Sequence, residues 1–243
     1  MRDFSRALRG TVLVVCLMTI IVQRSDAQEK NEAANRQYAA AVALQNRGVY
    51  DLAAEQWVKF IDTYRSDPRL DRGFQYLGVC YLQLGQLDSA QECFEIVLKS
   101  YPKFELLDAT YLYLGATQFK KAQGGKAELY DAAAETFDKL IQQFPKSKYL
   151  AQALFMRGDC AYHRGKKPEA AEFYAKALAA SPDDKLLAEI LYALGVTLEE
   201  LNKPTEAGDA YDRFLKKFPE SPLAAEVTMR RGETLLATDQ FQP

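Results

Sequence analysis

Acid–base or metal chemistry in this chain would have to run through His163, the one histidine among 243 residues. Asp159 and Tyr162 lie close enough in sequence to share a helix face with it. No second histidine and no paired cysteines accompany them, and a metal ion or a proton relay needs such partners at workable spacing. His163 therefore reads as a polar residue on a solvated or peptide-binding face. The segment KKAQGGKAEL places Lys120, Lys121 and Lys126 around Gly124 and Gly125, a composition that could cradle phosphate. The Walker pattern is absent, so the segment reads as an inserted loop with an interaction role as its alternative. No other nucleophile, carboxylate pair or cofactor fingerprint stands out. The expectation is a non-enzyme with no catalytic, cofactor-binding or metal residues and no cofactor.

These residues hang on a repeat, and the repeat decides how they are positioned. A small residue recurs as Ala41, Gly78, Gly115, Gly158, Gly195 and Gly232. Twelve positions on comes Ala53, Ala90, Ala170 or Ala207, with Ala133 joining once six extra residues are allowed in the third unit. Four positions later stands an aromatic: Trp57, Phe94, Phe137, Tyr174 and Tyr211. Proline follows eight further on at Pro102, Pro145, Pro182 and Pro219, with Arg65 the exception. The period is 37 residues, or 43 across the third unit.

Each recurrent residue has a physical reason. Small residues let two antiparallel helices approach, the aromatic fills the space between them, and leucines such as Leu77, Leu114 and Leu194 complete the apolar face. Gly48, Gly85 and Gly165 fall between the helices, where a left-handed cap costs glycine little. Proline ends the second helix because it cannot continue one. Ser221-Pro222 predicts an N-cap followed by a first-turn proline. Cys80 and Cys160 occupy one repeat position, shared with Ala43, Thr117, Thr197 and Thr234, so they read as small packing residues. Cys93 lies on the second helix of the unit that holds Cys80, and a bond between those two is the alternative in an oxidising compartment.

The unit resembles the tetratricopeptide repeat (TPR). The match in the second unit runs through Phe74, Leu77-Gly78, Tyr81, Gly85, Ala90, Phe94 and Pro102, and the resemblance covers about residues 34–243. It implies an all-α fold, a right-handed α-solenoid of about five and a half helix-turn-helix units. The units lie near 34–68, 71–105, 108–148, 151–185 and 188–222, with a partial one at 223–243. The period exceeds the family's usual 34 residues, and the extension falls in the connections between units. Such YP and FP linkers resemble the repeats of bacterial envelope proteins, among them outer-membrane assembly factors and Tol-Pal-associated coordinators. The partial last unit has two readings: a terminal capping helix, or the start of a longer array whose activity lies beyond residue 243.

Residues 1–27 stand apart. Arg2, Arg6 and Arg9 precede the 12-residue apolar run TVLVVCLMTIIV, and Ser25 and Ala27 supply the small residues of a cleavage site. This is the layout of a secretory signal peptide. As a helix the run would rise about 18 Å against roughly 30 Å of bilayer hydrocarbon. Residues 28–33 form a short lead. Removing the segment takes the formal charge from −2 to −4, so nothing favours nucleic acid as a partner. The expectation is an exported, periplasmic or envelope protein, touching membrane only through a partner or an uncleaved segment.

In the family, first helices line a concave groove that takes an extended peptide or a partner helix. Three residues before and four residues after the small position form one stripe by helical spacing. In this chain the stripe carries Tyr38, Leu112, Phe119, Phe155, Tyr162, Tyr192 and Met229. An aromatic stripe of this kind marks an interaction site; the alternative is burial against neighbouring units. Relatives that clamp a terminal carboxylate place Lys, Arg and Asn in the groove. Here aromatic and aliphatic residues stand at those positions, so a protein or peptide partner is expected without such a clamp.

Overall fold

The structure, a computed structural model, describes residues 28–125 and 127–238. The expected signal segment, Lys126 and the final DQFQP lie outside the described residues. Every regular element among the described residues is a helix, and the helices fall into two compact units that divide after Gly85. The first contains α1 (28–46), α2 (Tyr50–Thr63) and α3 (Leu70–Gln83). The second contains α4 (Leu87–Ser100), α5 (Leu107–Gln123), α6 (Leu129–Gln143), α7 (Leu150–His163), α8 (Lys167–Ala179), α9 (Asp184–Glu200), α10 (Pro204–Lys217) and α11 (Ala224–Ala237).

In the second unit the small residue and the aromatic face each other across the helix pairs. A Cβ added at Gly115 would stand 2.6 Å from the Phe137 ring, and one at Gly158 would stand 2.6 Å from Tyr174. Gly195 is pressed at least as closely against Tyr211. Real Cβ atoms do not approach rings to such distances, so glycine is required by proximity and not by backbone conformation. In the first unit Ala41 holds this position, fully buried, as is Trp57. Trp57, Phe94, Phe137 and Tyr211 are all fully buried and Tyr174 nearly so; each contributes about 1.5–3 kcal/mol by leaving water.

The turn inside each pair uses a left-handed residue. Gly48, Gly85 and Gly165 have φ of +74°, +73° and +72°. Asn202 takes the same place between α9 and α10 at +56°, a conformation asparagine tolerates better than most residues.

The connection between pairs explains the long period. After α2, α6 and α10 the chain makes two successive turns over six residues. In the first of these, Asp67 N–H donates to the Tyr64 carbonyl and Leu70 N–H donates to the Asp67 carbonyl. The same pair of bonds recurs at Phe144–Ser147–Leu150 and Phe218–Ser221–Ala224. Ser221-Pro222 thus lies in the turn and does not begin a helix: α11 starts at Ala224, and Ser221 Oγ accepts from Leu223 N–H at 3.3 Å. The stop itself does not require proline. Tyr64, followed by Arg65, has φ −116° and ψ 52°, close to Phe144 and Phe218, which precede prolines. Between α8 and α9 the spacing is kept but the path differs. Ser181 adopts φ 57°, Asp183 caps α9 by accepting from Leu186 N–H at 2.9 Å, and α9 gains an extra turn.

In the second unit each helix packs on its chain neighbours, and consecutive first helices also meet, α5 with α7 and α7 with α9. That sets α5, α7 and α9 side by side in this unit.

Candidate first-helix binding face

Packing claims part of the expected stripe. Leu112 and Phe119 are buried in a core that includes Tyr130, Phe137, Leu140 and Cys160. Tyr38, in the first unit, is half-buried; its ring meets Trp57 at 5.0 Å and Phe60 at 5.4 Å, and the Arg69 guanidinium covers it at 4.7 Å. Phe155, Tyr162 and Tyr192 are half-buried at the edge of the core formed by α7 to α10. Met229, on α11, is 59% exposed, and Leu236, seven residues on, is 62% exposed. The face left open runs over α7, α9 and α11.

Carboxylates stand among these rings, and composition alone did not draw attention to them. Tyr162 OH donates to Glu200 (2.9 Å), and Tyr192 OH donates to Glu226 (2.7 Å), so each tyrosine ties one first helix to the next. The buried aromatics reach the same face from behind. Tyr174 OH donates to Asp159 Oδ1 and Tyr211 OH to Glu199 Oε2, both at 2.7 Å. In the first unit Trp57 Nε1 donates to Gln45 Oε1 at 2.8 Å. The signal for these bonds is present in the sequence: where the recurrent aromatic has a polar tip, an acceptor sits one or four residues after the small position. Phe94 and Phe137 have no tip to place.

Asp159 is the most perturbed of these acids. Burial pushes its carboxyl pKa up to about 7, the Tyr174 hydroxyl opposes that, and the Glu189 charge adds to it. Arg230 reaches Glu199 at 2.9 Å and Glu226 at 3.1 Å, with its guanidinium 5.9 Å from the Tyr192 ring centroid.

The other chemical candidates resolve into packing. His163 is exposed at its edge but stacks flat on Tyr130, with centroids 5.0 Å apart and planes 4° from parallel, and meets Phe119 edge-on at 5.5 Å. Lys121 is taken by Asp88 at 2.6 Å and Gln91 at 2.8 Å, so it points away from a phosphate cradle. Cys80, Cys93 and Cys160 are buried thiols. Burial pushes the pKa of Cys80 and Cys160 up to about 12, which keeps both protonated and unreactive. Among the described residues no cluster of three metal-ligating side chains occurs, and no helix is long and apolar enough to cross a membrane.

Comparison with known proteins agrees with this geometry. Two family models, both described as tetratricopeptide repeat, match the chain, one at residues 125–185 and the other at 74–103 and 189–221. The chain belongs to the tetratricopeptide repeat family, and its fold is the all-α stack of helix pairs that family defines. No curated protein sequence matches it. Among solved structures, MamA (41-end) from Desulfovibrio magneticus RS-1 is similar at TM-score 0.65 and 16% identity, over 78% of this chain and 97% of that one. YrrB, described as a TPR protein with an unusual peptide-binding site, is similar at TM-score 0.59 and 19% identity, over 78% and 88%. PilF from Pseudomonas aeruginosa is similar at TM-score 0.65 and 15% identity, over 86% and 87%. At these identities the likeness is one of fold.

Proposed function

We propose that this chain is an exported, non-enzymatic scaffold that holds a peptide segment or a partner helix on the first-helix face of α7, α9 and α11, with bacterial envelope assembly or cell division as its setting. The observation that carries the reading is the partly open stripe of Phe155, Tyr162, Tyr192 and Met229, extended by Leu236. Met229 and Leu236 keep more than half of their surface in water, and burying such side chains against a partner is favourable by roughly 1.5–3 kcal/mol each. An extended segment or an amphipathic helix suits a face of this shape, with the tyrosine–carboxylate pairs setting its register. The family's use as an interaction scaffold supports this, as does the peptide-binding site named for YrrB. Export rests on the layout of residues 1–27, and the envelope role on the long YP and FP linkers.

Site-specific photocrosslinking tests the face. A photoreactive residue at Met229 is expected to capture a partner that Leu236→Asp abolishes. The same probe at Val58, an exposed position on α2, is expected to capture nothing. Equal capture at both positions would remove the α7–α9–α11 face as the binding site. Export is checked by fractionating the host and weighing the chain, which is expected to have lost residues 1–27.

A further inference from the structure

Resting on that reading, we infer that the occupant is a cationic peptide segment, with an arginine or lysine side chain seated between Phe155 on α7 and Glu189 on α9.

The argument comes from comparing equivalent positions within the repeat. Between α9 and α11 a complete cation seat exists and is filled by the chain itself. Tyr192, three residues before Gly195, supplies the ring. Glu226, six residues before Gly232, supplies the carboxylate. Arg230, two residues before Gly232, occupies the seat, within 3.1 Å of Glu226 and 5.9 Å of the ring centroid. A guanidinium near an aromatic ring is attracted by the ring quadrupole, more strongly where water is displaced. The first unit fills a seat of the same kind differently: Arg69 covers Tyr38 at 4.7 Å and forks onto Asp67 at 2.8 and 2.7 Å.

One repeat earlier than the Arg230 seat, the same register places Phe155 as the ring and Glu189 as the carboxylate, but Ala193 stands where Arg230 would be. The parts that attract a cation are kept, while the chain's own cation is replaced by a methyl group. Among the described residues no basic group contacts the Phe155 ring and no ion pair engages Glu189, which is exposed. Asp159, beside this seat, bonds to Tyr174 and to no base.

The surrounding charge points the same way. Around the open stripe α9 and α11 carry Glu189, Glu199, Glu200, Glu226 and Glu233. Arg230 pairs with Glu199 and Glu226, and Lys167 lies 3.3 Å from Glu200; Lys185, exposed one turn before Glu189 on α9, makes no ion pair with it among the described residues. An acidic peptide would be repelled along this face, and a neutral one would leave the charges unused. A basic segment meets complementary potential, which favours its encounter and its orientation.

The test uses the full chain and three labelled decapeptides of alanine and leucine carrying two arginines, two glutamates or no charge, followed by fluorescence anisotropy at low and high salt. The arginine peptide is expected to bind at least tenfold tighter than the neutral one, and to lose most of that advantage at high salt. Glu189→Arg, a change at an exposed site that should leave the helical circular dichroism intact, is expected to weaken the arginine peptide at least tenfold and to improve the glutamate peptide. Equal binding of arginine and neutral peptides, lost on Met229→Asp, would overturn the cation seat while leaving the groove reading in place. Absence of binding by all three would overturn both. Tight arginine binding unchanged by Glu189→Arg would place the cation elsewhere and overturn the seat.

Discussion

The first-helix faces of the two units share a register and differ in chemistry. In the first unit the equivalent positions hold Tyr38 and Gln45 on α1 and Arg72, Gln75 and Leu82 on α3, of which Gln75 and Leu82 are buried. The ring of Tyr38 is covered by Arg69, and the buried Trp57 ends on a neutral amide. In the second unit, α7 and α9 present Phe155, Tyr162 and Tyr192, and the buried tyrosines end on carboxylates. The scaffold is common to both because packing of the small residue against the aromatic tolerates little change. The exposed face varies more freely because its outer side chains end in water, although the packing aromatics reach it from behind. The first unit closes Tyr38 with Arg69; the second closes Tyr192 with Arg230 and leaves Phe155 and Glu189 without a guanidinium.

The largest effects should fall on what the units share. Trp57→Ala in the first unit and Phe137→Ala in the second are each expected to cost about 3–5 kcal/mol, because both empty a fully buried aromatic site. Urea denaturation checks this, and a much smaller loss for either would mean that its unit collapses around the cavity. Next comes proximity: Gly195→Ala drives a Cβ into Tyr211 and is expected to cost about 1–3 kcal/mol. Gly232→Ala meets no atom within 4 Å and should instead gain up to about 1 kcal/mol from helix propensity. Similar urea midpoints for these two alanines would break the proximity argument.

Asp159 sharpens the contrast at the face itself. Its pKa rises from 3.8 to about 7 on folding, chiefly by burial. Between those values the folded chain keeps a proton that the unfolded chain has released, so this group's contribution to stability falls as pH rises and levels off above about 7. A shift of this size costs about 4 kcal/mol for a fully buried group, and Asp159 retains some contact with water. Asp159→Asn is therefore expected to stabilise the chain by about 2 kcal/mol at pH 8 and to change little at pH 4. Equal stabilisation at both pH values would mean that ionisation of Asp159 is not the cause. The smallest effect belongs to the open stripe: Met229→Asp should shift stability by no more than about 0.5 kcal/mol while abolishing partner capture. A large loss of helical signal would instead make Met229 a packing residue.

Much of this was legible in residue spacing. The glycine–aromatic pairing, the left-handed turn residues and the helix count follow from a 37-residue period whose members are small, aromatic or proline for steric reasons. The linker was legible only as extra length. That the extra residues form two linked turns, and that Tyr64 stops its helix without a proline, depends on backbone bonds with no residue-type signature. The early start of α9 was hidden for a related reason: Asp183 caps the helix while the spacing to Gly195 stays unchanged.

The proposed binding face shows the same division. Spacing put seven residues on one stripe, because helical geometry is local and periodic. It could not separate Leu112 and Phe119, which the neighbouring helices bury, from Met229, which they leave in water, since burial depends on what lies across the interface. Nor could it pair Tyr162 with Glu200 or Tyr192 with Glu226. By itself the sequence determined the repeat, the fold class and the face, all consequences of period and side-chain size. Only the tertiary structure decided which rings stay open and which carboxylates stand beside them, because those contacts join helices far apart in the chain.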